Sequence, residues 1–256
     1  MSPPTVILYA LPDEAKYFGK EFERRSVAPR DRPLEDAEPV SPQFGGVVAY
    51  RIGAGLERAR RNTAAALDLL GPVRSVLIVG FAGGLETGLG PGDIAVGEEV
   101  STGPGSVALR ADRSLLEAVA HVTVVGARCV RGRITSASGV IGTAAEKREM
   151  ARATGAIAVD TESAAAAAVI EERGGAWIAV RVITDGPEDD LPFDFNAESL
   201  QADGDPYGGV DRSKTVVLAL QHPWKIPALI RLGLRANRAA RNLALFLHAL
   251  MPQLAR

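Results

Sequence analysis

The sequence predicts an α/β fold: a three-layer α/β/α sandwich around a twisted, largely parallel but mixed central sheet. Three observations carry this. Short β-rich runs alternate with Ala-rich helical stretches along the chain. The strand runs are continuously apolar rather than alternating, as in strands buried on both faces, so helices must cover both sides of the sheet. With 256 residues, 46% of them hydrophobic, the chain can enclose a sizeable core.

The elements follow in order. "TVILYAL" (5–11) reads as the first strand, and the polar, Pro-rich stretch 28–43 as a loop or insertion. "GVVAYRIG" reads as a strand, followed by a helix, "LERARRNTAAALDLLG", that stops at Gly71. "SVLIVGFAGGL" is a buried strand entering a glycine turn, and "GDIAVGEEV" is another strand. "SLLEAVAHV" and "TAAEKREMARATG" read as helices; Thr143 with Glu146 three residues on forms a capping-box pattern. "AIAVDTE" is a strand leading into "SAAAAAVIEERGG", a helix closed by glycine, and "AWIAVRVITDG" is the last clear strand. No internal repeat or linker interrupts residues 1–220, which are expected to form one domain. Residues 221–256 differ: they hold Lys225, Arg231, Arg235, Arg238 and Arg241 and no acidic residue. They are expected to form a basic, partly amphipathic extension of two helices broken near Pro227 or Gly233, packed on or continuing the same domain.

Composition narrows the function. A net charge of -2 gives no general attraction to nucleic acid. The single cysteine, Cys129, excludes an intramolecular disulfide and suits a reducing compartment. The three histidines are scattered and no Cys/His cluster exists, so neither a metal nor another cofactor is expected. The N-terminal apolar run lacks a basic flank and is broken by Pro12 and Asp13. No apolar stretch approaches the roughly 20 residues needed to cross a bilayer. The expectation is a cytoplasmic protein.

In an open parallel sheet, ligands gather at the carboxyl ends of the strands. Four stretches end there: "ALPDEA", "GFAGGL", "AVDTESA" and "VITDG". They deliver Glu14, a glycine turn, Glu162 and Asp185. Three carboxylates beside a turn with free backbone N–H groups make a candidate acid/base pocket. "RIGAGLERAR" offers Gly53 and Gly55 between strand and helix, but Arg58 replaces the third glycine of a dinucleotide fingerprint. A helix N-terminus there, with Gly55 and Arg58, is a candidate phosphate site, and Arg60 and Arg133 are further candidates for a phosphate clamp.

Longer stretches carry a family resemblance. "VGFAGGLETGLGPGDIAVGEEV" resembles the glycine-turn segment of the purine nucleoside phosphorylase and methylthioadenosine/S-adenosylhomocysteine nucleosidase superfamily. "AIAVDTESAAAAAVIEERGGAWIAVRVITDGPED" resembles its ribose-binding and catalytic segment, and "ILYALPDEA" its N-terminal strand and acidic turn. The likeness runs in order over most of residues 5–190. Within the superfamily, "ALPDEA", "TAAEKREMARATGAIAVDTESAA" and the tail "HPWKIPALIRLGLRANRAARNL" are similar to hopanoid-associated phosphorylases.

The resemblance implies cleavage of the N-glycosidic bond of a 5′-substituted adenosine, adenosylhopane in hopanoid biosynthesis. Adenine would leave by phosphorolysis, with inorganic phosphate as co-substrate, or by hydrolysis. Methylthioadenosine or S-adenosylhomocysteine cleavage is the alternative within the class, and a nucleoside-binding module without catalysis the alternative outside it. Asp185 matches the acid that protonates the leaving purine, Glu162 the ribose-binding glutamate and Glu14 the glutamate that activates water. Phe81, Ala82 and Gly83 match the turn beneath the sugar and base. Val140, Ile141, Asp160, Thr161 and Thr184 match substrate-contacting positions. Three residues depart from the family: Phe81 for Ser or Thr, Thr161 for Met, and Val140 for an aromatic. The resemblance also implies a homo-oligomer. A hydrophobic substrate and the basic tail together imply peripheral contact with an anionic membrane through Lys225, Arg231, Arg235 and Arg238.

Overall fold

The computed structural model describes residues 3–18, 23–26, 46–201, 205 and 207–254. The stretch 28–43, read as a loop, lies outside them. The strands are β1 (Thr5–Tyr9), β2 (Glu23–Ser26), β3 (Val47–Arg51), β4 (Ser75–Gly84), β5 (Ile94–Ser101), β6 (Leu109–Arg110), β7 (Cys129–Ser136), β8 (Ala158–Asp160) and β9 (Trp177–Asp185). The helices are α1 (Leu56–Leu70), α2 (Arg113–Val119), α3 (Ala144–Thr154), α4 (Ser163–Glu172), α5 (Arg212–Gln221) and α6 (Ile226–Leu254).

The α/β class is the one expected: a mixed central sheet with helices packed around it. β2, β3, β1 and β4 form a parallel wing. Beyond it the sheet closes on itself, which the sequence did not foretell. β4 pairs parallel with β9, β9 antiparallel with β5, and β5 parallel with β7. β7 pairs parallel with β8, and β8 returns antiparallel to β4 at Gly83 and Gly84. A register shift against β9 between Ala82 and Gly83 marks where β8 joins the other side of β4. Such an irregularity bends a strand and lets it serve two neighbours.

The apolar runs became the buried strands. Val6, Ile7 and Leu8 of β1, Leu77 and Ile78 of β4, and Ile178, Ala179 and Val180 of β9 are fully buried. Local signals set the helix ends. Gly71 caps α1 at φ 67°, and Gly155 caps α3 in the left-handed conformation. The Thr143–Glu146 capping box is present in full. The alanines of α4 let it lie close to α1 and against β4, β7 and β9.

Four elements were not anticipated: β2, β6, β7 and α5. β2 is short and charged, and α5 follows a Gly- and Asp-rich stretch that carries no helical period. The tail also differs from expectation: it is one 29-residue helix, α6, not two. Pro227 sits in the first turn, where its missing N–H has no intrahelical acceptor to lose. Gly233 continues the helix with nothing within 4 Å of where its Cβ would be. The second half of α6 buries Leu243, Phe246, Leu247 and Leu250 against β9, β4 and α2. Each such side chain contributes about 1.5–3 kcal/mol of burial.

Candidate active site

Arg181 sits in the middle of β9 and Asp185 at its tip, just past the extra residue, Thr184, where the register against β4 shifts. The tip of β9 opens on a cavity of about 1130 Å³. Glu14 reaches it from the turn after β1, and Phe81, Ala82 and Gly83 from the end of β4. Asp160, Thr161 and Glu162 enter from the β8–α4 junction, and Thr184 and Asp185 from the tip of β9. Val140 and Ile141 wall it from the segment before α3, and Gly55 and Arg58 from the start of α1. Every candidate residue named from the sequence, apart from Arg60 and Arg133, therefore lines one hollow. Three of them have fewer free groups than expected.

Asp160 is occupied as a scaffold. Its Oδ1 accepts from Ser136 Oγ at 2.5 Å and from the Glu162 and Ser163 amides at 3.3 Å, and its Oδ2 meets Arg181 Nε at 2.7 Å. The N–H of Gly55, offered as a phosphate donor, instead donates to Glu162 Oε1 at 3.0 Å. Arg58 lies against Gly208, where a Cβ would sit 2.7 Å from its Cζ. Arg60 pairs with Glu172 at 3.0 Å and Arg133 with Glu99 at 2.8 Å, and neither lines the cavity.

The centre of the site is a residue the sequence reading passed over. Arg181 is 1% exposed in the middle of β9. Its Nε also donates to Ser163 Oγ at 3.0 Å, and its Nη1 lies 3.5 Å from Glu162 Oε2. That Nη1 has no hydrogen-bond partner among the described residues. A Cβ at Gly80 would collide with Arg181 Nη1 and with Glu14 Oε1, so only glycine lets these groups cross β4. The available signal was a lone arginine inside an apolar strand; a buried charge is almost always paired.

One guanidinium thus faces three buried carboxyl groups, those of Glu14, Asp160 and Glu162. Burial opposes the arginine's charge, but the three acids outweigh it and hold its proton more tightly than usual. Burial raises Glu162 above the carboxylate range; Arg181 pulls it back and Asp160 pushes it up. Thr161 Oγ1 donates to Glu162 Oε1 as well.

Burial lifts Glu14 to about 7; Arg181 opposes the rise and Glu162 adds to it. Its Oε2 accepts from the Ala10 and Leu11 amides at 2.7 and 2.9 Å, and its Oε1 from the Phe81 amide at 2.9 Å. A carboxylate has about four acceptor positions, so one remains for a water. A base must be ionised to act. With Glu14 in the role of base that the family resemblance implies, kcat/KM is expected to rise with pH through about 7 and then level off, being roughly tenfold below the plateau one unit lower. Glu14→Gln should remove that limb. A profile flat from pH 5.5 to 8.5 in the unsubstituted enzyme would rule Glu14 out as the base. Stability runs the other way. The raised group favours folding fully below about 4.5, and that contribution fades as pH climbs through about 7.

At the other end, Asp185 meets Lys147 of α3 at 2.5 Å, both side chains being buried. Thr184 Oγ1 donates to Asp185 Oδ1 at 2.6 Å. Gly83 leaves room for this group: a Cβ there would lie 3.3 Å from Asp185 Oδ2. Asn196 brackets the backbone of Val140, accepting from its N–H at 2.7 Å and donating to its carbonyl at 2.8 Å. Lys147 and Asn196 carry no motif signal, since their partners are distant in sequence. Arg51 also lines the cavity, pairing with Asp205 at 3.3 Å and lying over the Tyr207 ring at 4.5 Å. Beyond the acids the wall turns apolar, through Leu11, Leu191, Phe195, Val216, Leu229 and Leu232. Among the described residues no group of His, Cys, Asp and Glu is arranged to hold a metal ion, and no helix is long and apolar enough to cross a membrane.

Carboxyl groups converging from three strand ends on one hollow, around a sheet of this topology, suit a nucleoside-cleaving enzyme, the class to which the family match assigns the chain. The chain belongs to the phosphorylase superfamily, whose profile matches residues 4–204. Solved structures share the fold at low identity. A 5′-methylthioadenosine/S-adenosylhomocysteine nucleosidase from Neisseria meningitidis, in complex with methylthio-immucillin-A, is 18% identical with a TM-score of 0.70, covering 98% of this chain and 99% of its own. A futalosine hydrolase of Helicobacter pylori is 18% identical with a TM-score of 0.67, over 98% and 97%. A putative nucleosidase of the first kind from Borrelia burgdorferi, bound to adenine, is 16% identical with a TM-score of 0.71, over 98% and 99%. No curated protein matches the chain.

Proposed function

We propose that the protein hydrolyses the N-glycosidic bond of an adenosine carrying a large apolar 5′ substituent, adenosylhopane being the substrate that the sequence resemblance favours. The observation that carries this is the charge imbalance in a cavity with an apolar far end. Glu14, Asp160 and Glu162 outnumber Arg181, so the site favours a ligand that becomes positive. The ribosyl group does so as the bond to adenine breaks, and fixed carboxylates then stabilise the transition state more than the ground state. Glu162 is placed to hold the ribose hydroxyls. Glu14 takes a proton from the attacking water, and Asp185 faces the departing purine. The hydrolases and nucleosidases of the same fold agree with this chemistry.

Two observations favour water over phosphate. Glu14 is poised near neutrality. Of the two basic side chains among the residues that line the cavity, Arg51 already holds Asp205 and Arg58 donates to the Ala54 carbonyl at 3.4 Å, and the Gly55 amide is spent on Glu162. The cavity, about 1130 Å³, exceeds the roughly 300–1,000 Å³ typical of small-molecule sites, and α5 and α6 supply its apolar wall. The test is adenine release from adenosines with 5′ groups of increasing length, with and without phosphate. The expected result is release without phosphate and a kcat/KM that rises with apolar length. No release from any of them, or strict phosphate dependence, overturns the reading.

A lipid-bearing substrate also suits the surface around the opening. Leu220, Trp224, Ile230 and Leu234 are exposed on α5, α6 and the turn between them, beside the cavity-lining Val216, Leu229 and Leu232. The basic side chains expected to face lipid are partly engaged elsewhere: Arg235 pairs with Asp189 at 3.0 Å, Arg238 donates to the Gly126 carbonyl at 3.0 Å, and Lys225 lies over the Phe193 ring at 4.9 Å. Apolar insertion assisted by Arg231 is therefore the mode of membrane contact favoured. Deleting the tail would remove core residues of α6, so substitution is the better test. Co-sedimentation with anionic vesicles is expected for the unsubstituted protein, and loss of most of it for the combined Leu220→Ser, Trp224→Ser, Ile230→Ser and Leu234→Ser variant. Equal sedimentation of both would defeat the idea.

A further inference from the structure

Lys147 is wholly buried, and all three of its ammonium hydrogens have acceptors. It meets Asp185 Oδ2 at 2.5 Å, the Asp189 carbonyl at 2.8 Å and the Gly186 carbonyl at 3.0 Å. The segment that follows β9 is tied to the start of α3 by two further bonds. The Ala144 amide donates to Asp190 Oδ1 at 2.8 Å, and the Leu191 amide to the Gly142 carbonyl at 2.7 Å. Asp189 in turn accepts from the Gly186 amide at 2.8 Å and pairs with Arg235 of α6. The lysine is thus seated in a frame that fixes its position independently of any ligand. Among the described residues its carboxylate partner at ion-pair distance is Asp185, with the Asp189 carboxylate further off.

We propose that Lys147 is the positioning residue for Asp185, fixing its carboxyl group and stabilising the carboxylate left behind when that group gives its proton to the leaving purine. This rests on the nucleoside-cleavage reading above. In the step itself the carboxyl O–H bond breaks and a purine N–H bond forms. The electron pair of the N-glycosidic bond goes to the purine, and Asp185 becomes an anion. After the transfer the new carboxylate lies against the lysine Nζ, at the 2.5 Å separation of the pair. A fixed positive charge beside an anion that forms only as the bond breaks favours the transition state over the ground state. Asp185 Oδ1, which accepts from Thr184, stays on the side away from the lysine and keeps the carboxyl group from turning.

The test compares two leaving groups on the same 5′-alkyl ribose: adenine, which needs a proton, and p-nitrophenolate, which leaves without one. Lys147→Met is expected to lower kcat for the adenosine about 100-fold with little change in KM, and for the phenyl riboside less than about threefold. Asp185→Asn combined with Lys147→Met should be no slower on adenosine than Asp185→Asn alone, because the lysine acts through the aspartate. Lys147→Gln, which keeps donors for the two carbonyls, should repeat the leaving-group signature if the methionine variant does not fold. Equal slowing of both substrates, or losses that multiply in the double variant, would assign the lysine a general structural role and overturn the proposal. An unsubstituted enzyme that cleaves the phenyl riboside but not the adenosine removes the leaving-group acid, and Lys147's role with it. One that cleaves neither sinks the nucleoside-cleavage reading itself.

Discussion

Arg181→Met is expected to lower stability by about 3–5 kcal/mol and to abolish measurable turnover. The arginine is buried among Asp160, Glu162 and Glu14, and removing one partner of such a cluster leaves uncompensated charge in a dry interior. The loss has a pH signature. Without the guanidinium, Glu14 and Glu162 lose the charge that now pulls them back toward the carboxylate range, so they hold protons to still higher pH. Groups raised in the folded state favour folding at low pH and lose that contribution as pH rises. The deficit should therefore be smallest near pH 4.5 and largest above about 7. Denaturant titration at both ends of this range measures it. A variant within about 1 kcal/mol of the unsubstituted protein at pH 8 would mean that the cluster is solvated and that the charge imbalance is not real.

Asp185→Asn is expected to lower kcat by about 10²–10⁴-fold while changing KM little, the span typical of removing a general acid. The amide keeps the shape and can still accept from Thr184, but it has no proton of the right acidity to give. Steady-state adenine release reads the rate, and equilibrium binding of adenine reads the retained pocket. A rate within about threefold of the unsubstituted enzyme would place the leaving-group proton elsewhere.

Much of this site was legible because its carboxylates stand at strand ends, where chain order alone marks them. "ALPDEA", "AVDTE" and "VITDG" each follow an apolar run, and each reaches the same cavity. Helix ends were legible for a similar reason: Thr143, Gly71 and Gly155 act on their own neighbours. What stayed hidden depends on contacts between distant segments. Arg181 reads as an interruption in a strand until Asp160 and Glu162 are beside it. Lys147 reads as one more charge on a polar helix, yet it is fully buried. The closure of β8 onto β4 involves only Gly83 and Gly84, too little sequence to carry a pattern. The single α6 was misjudged because Pro227 was weighed as a breaker without regard to its place in the first turn.

The closure of the sheet has a further result, for the protein's behaviour in concentrated solution. β4, β9, β5 and β8 are each held between neighbours, and among the described residues the border left open in the closed half is the N-terminal part of β7, Cys129–Arg133, which pairs with β5 alone. Among the described strands the other unpaired borders belong to β2, four residues long and rich in charge, and to β6, only two residues long. Both are poor templates for intermolecular pairing. Self-templated aggregation therefore finds little strand border to start from around the cavity.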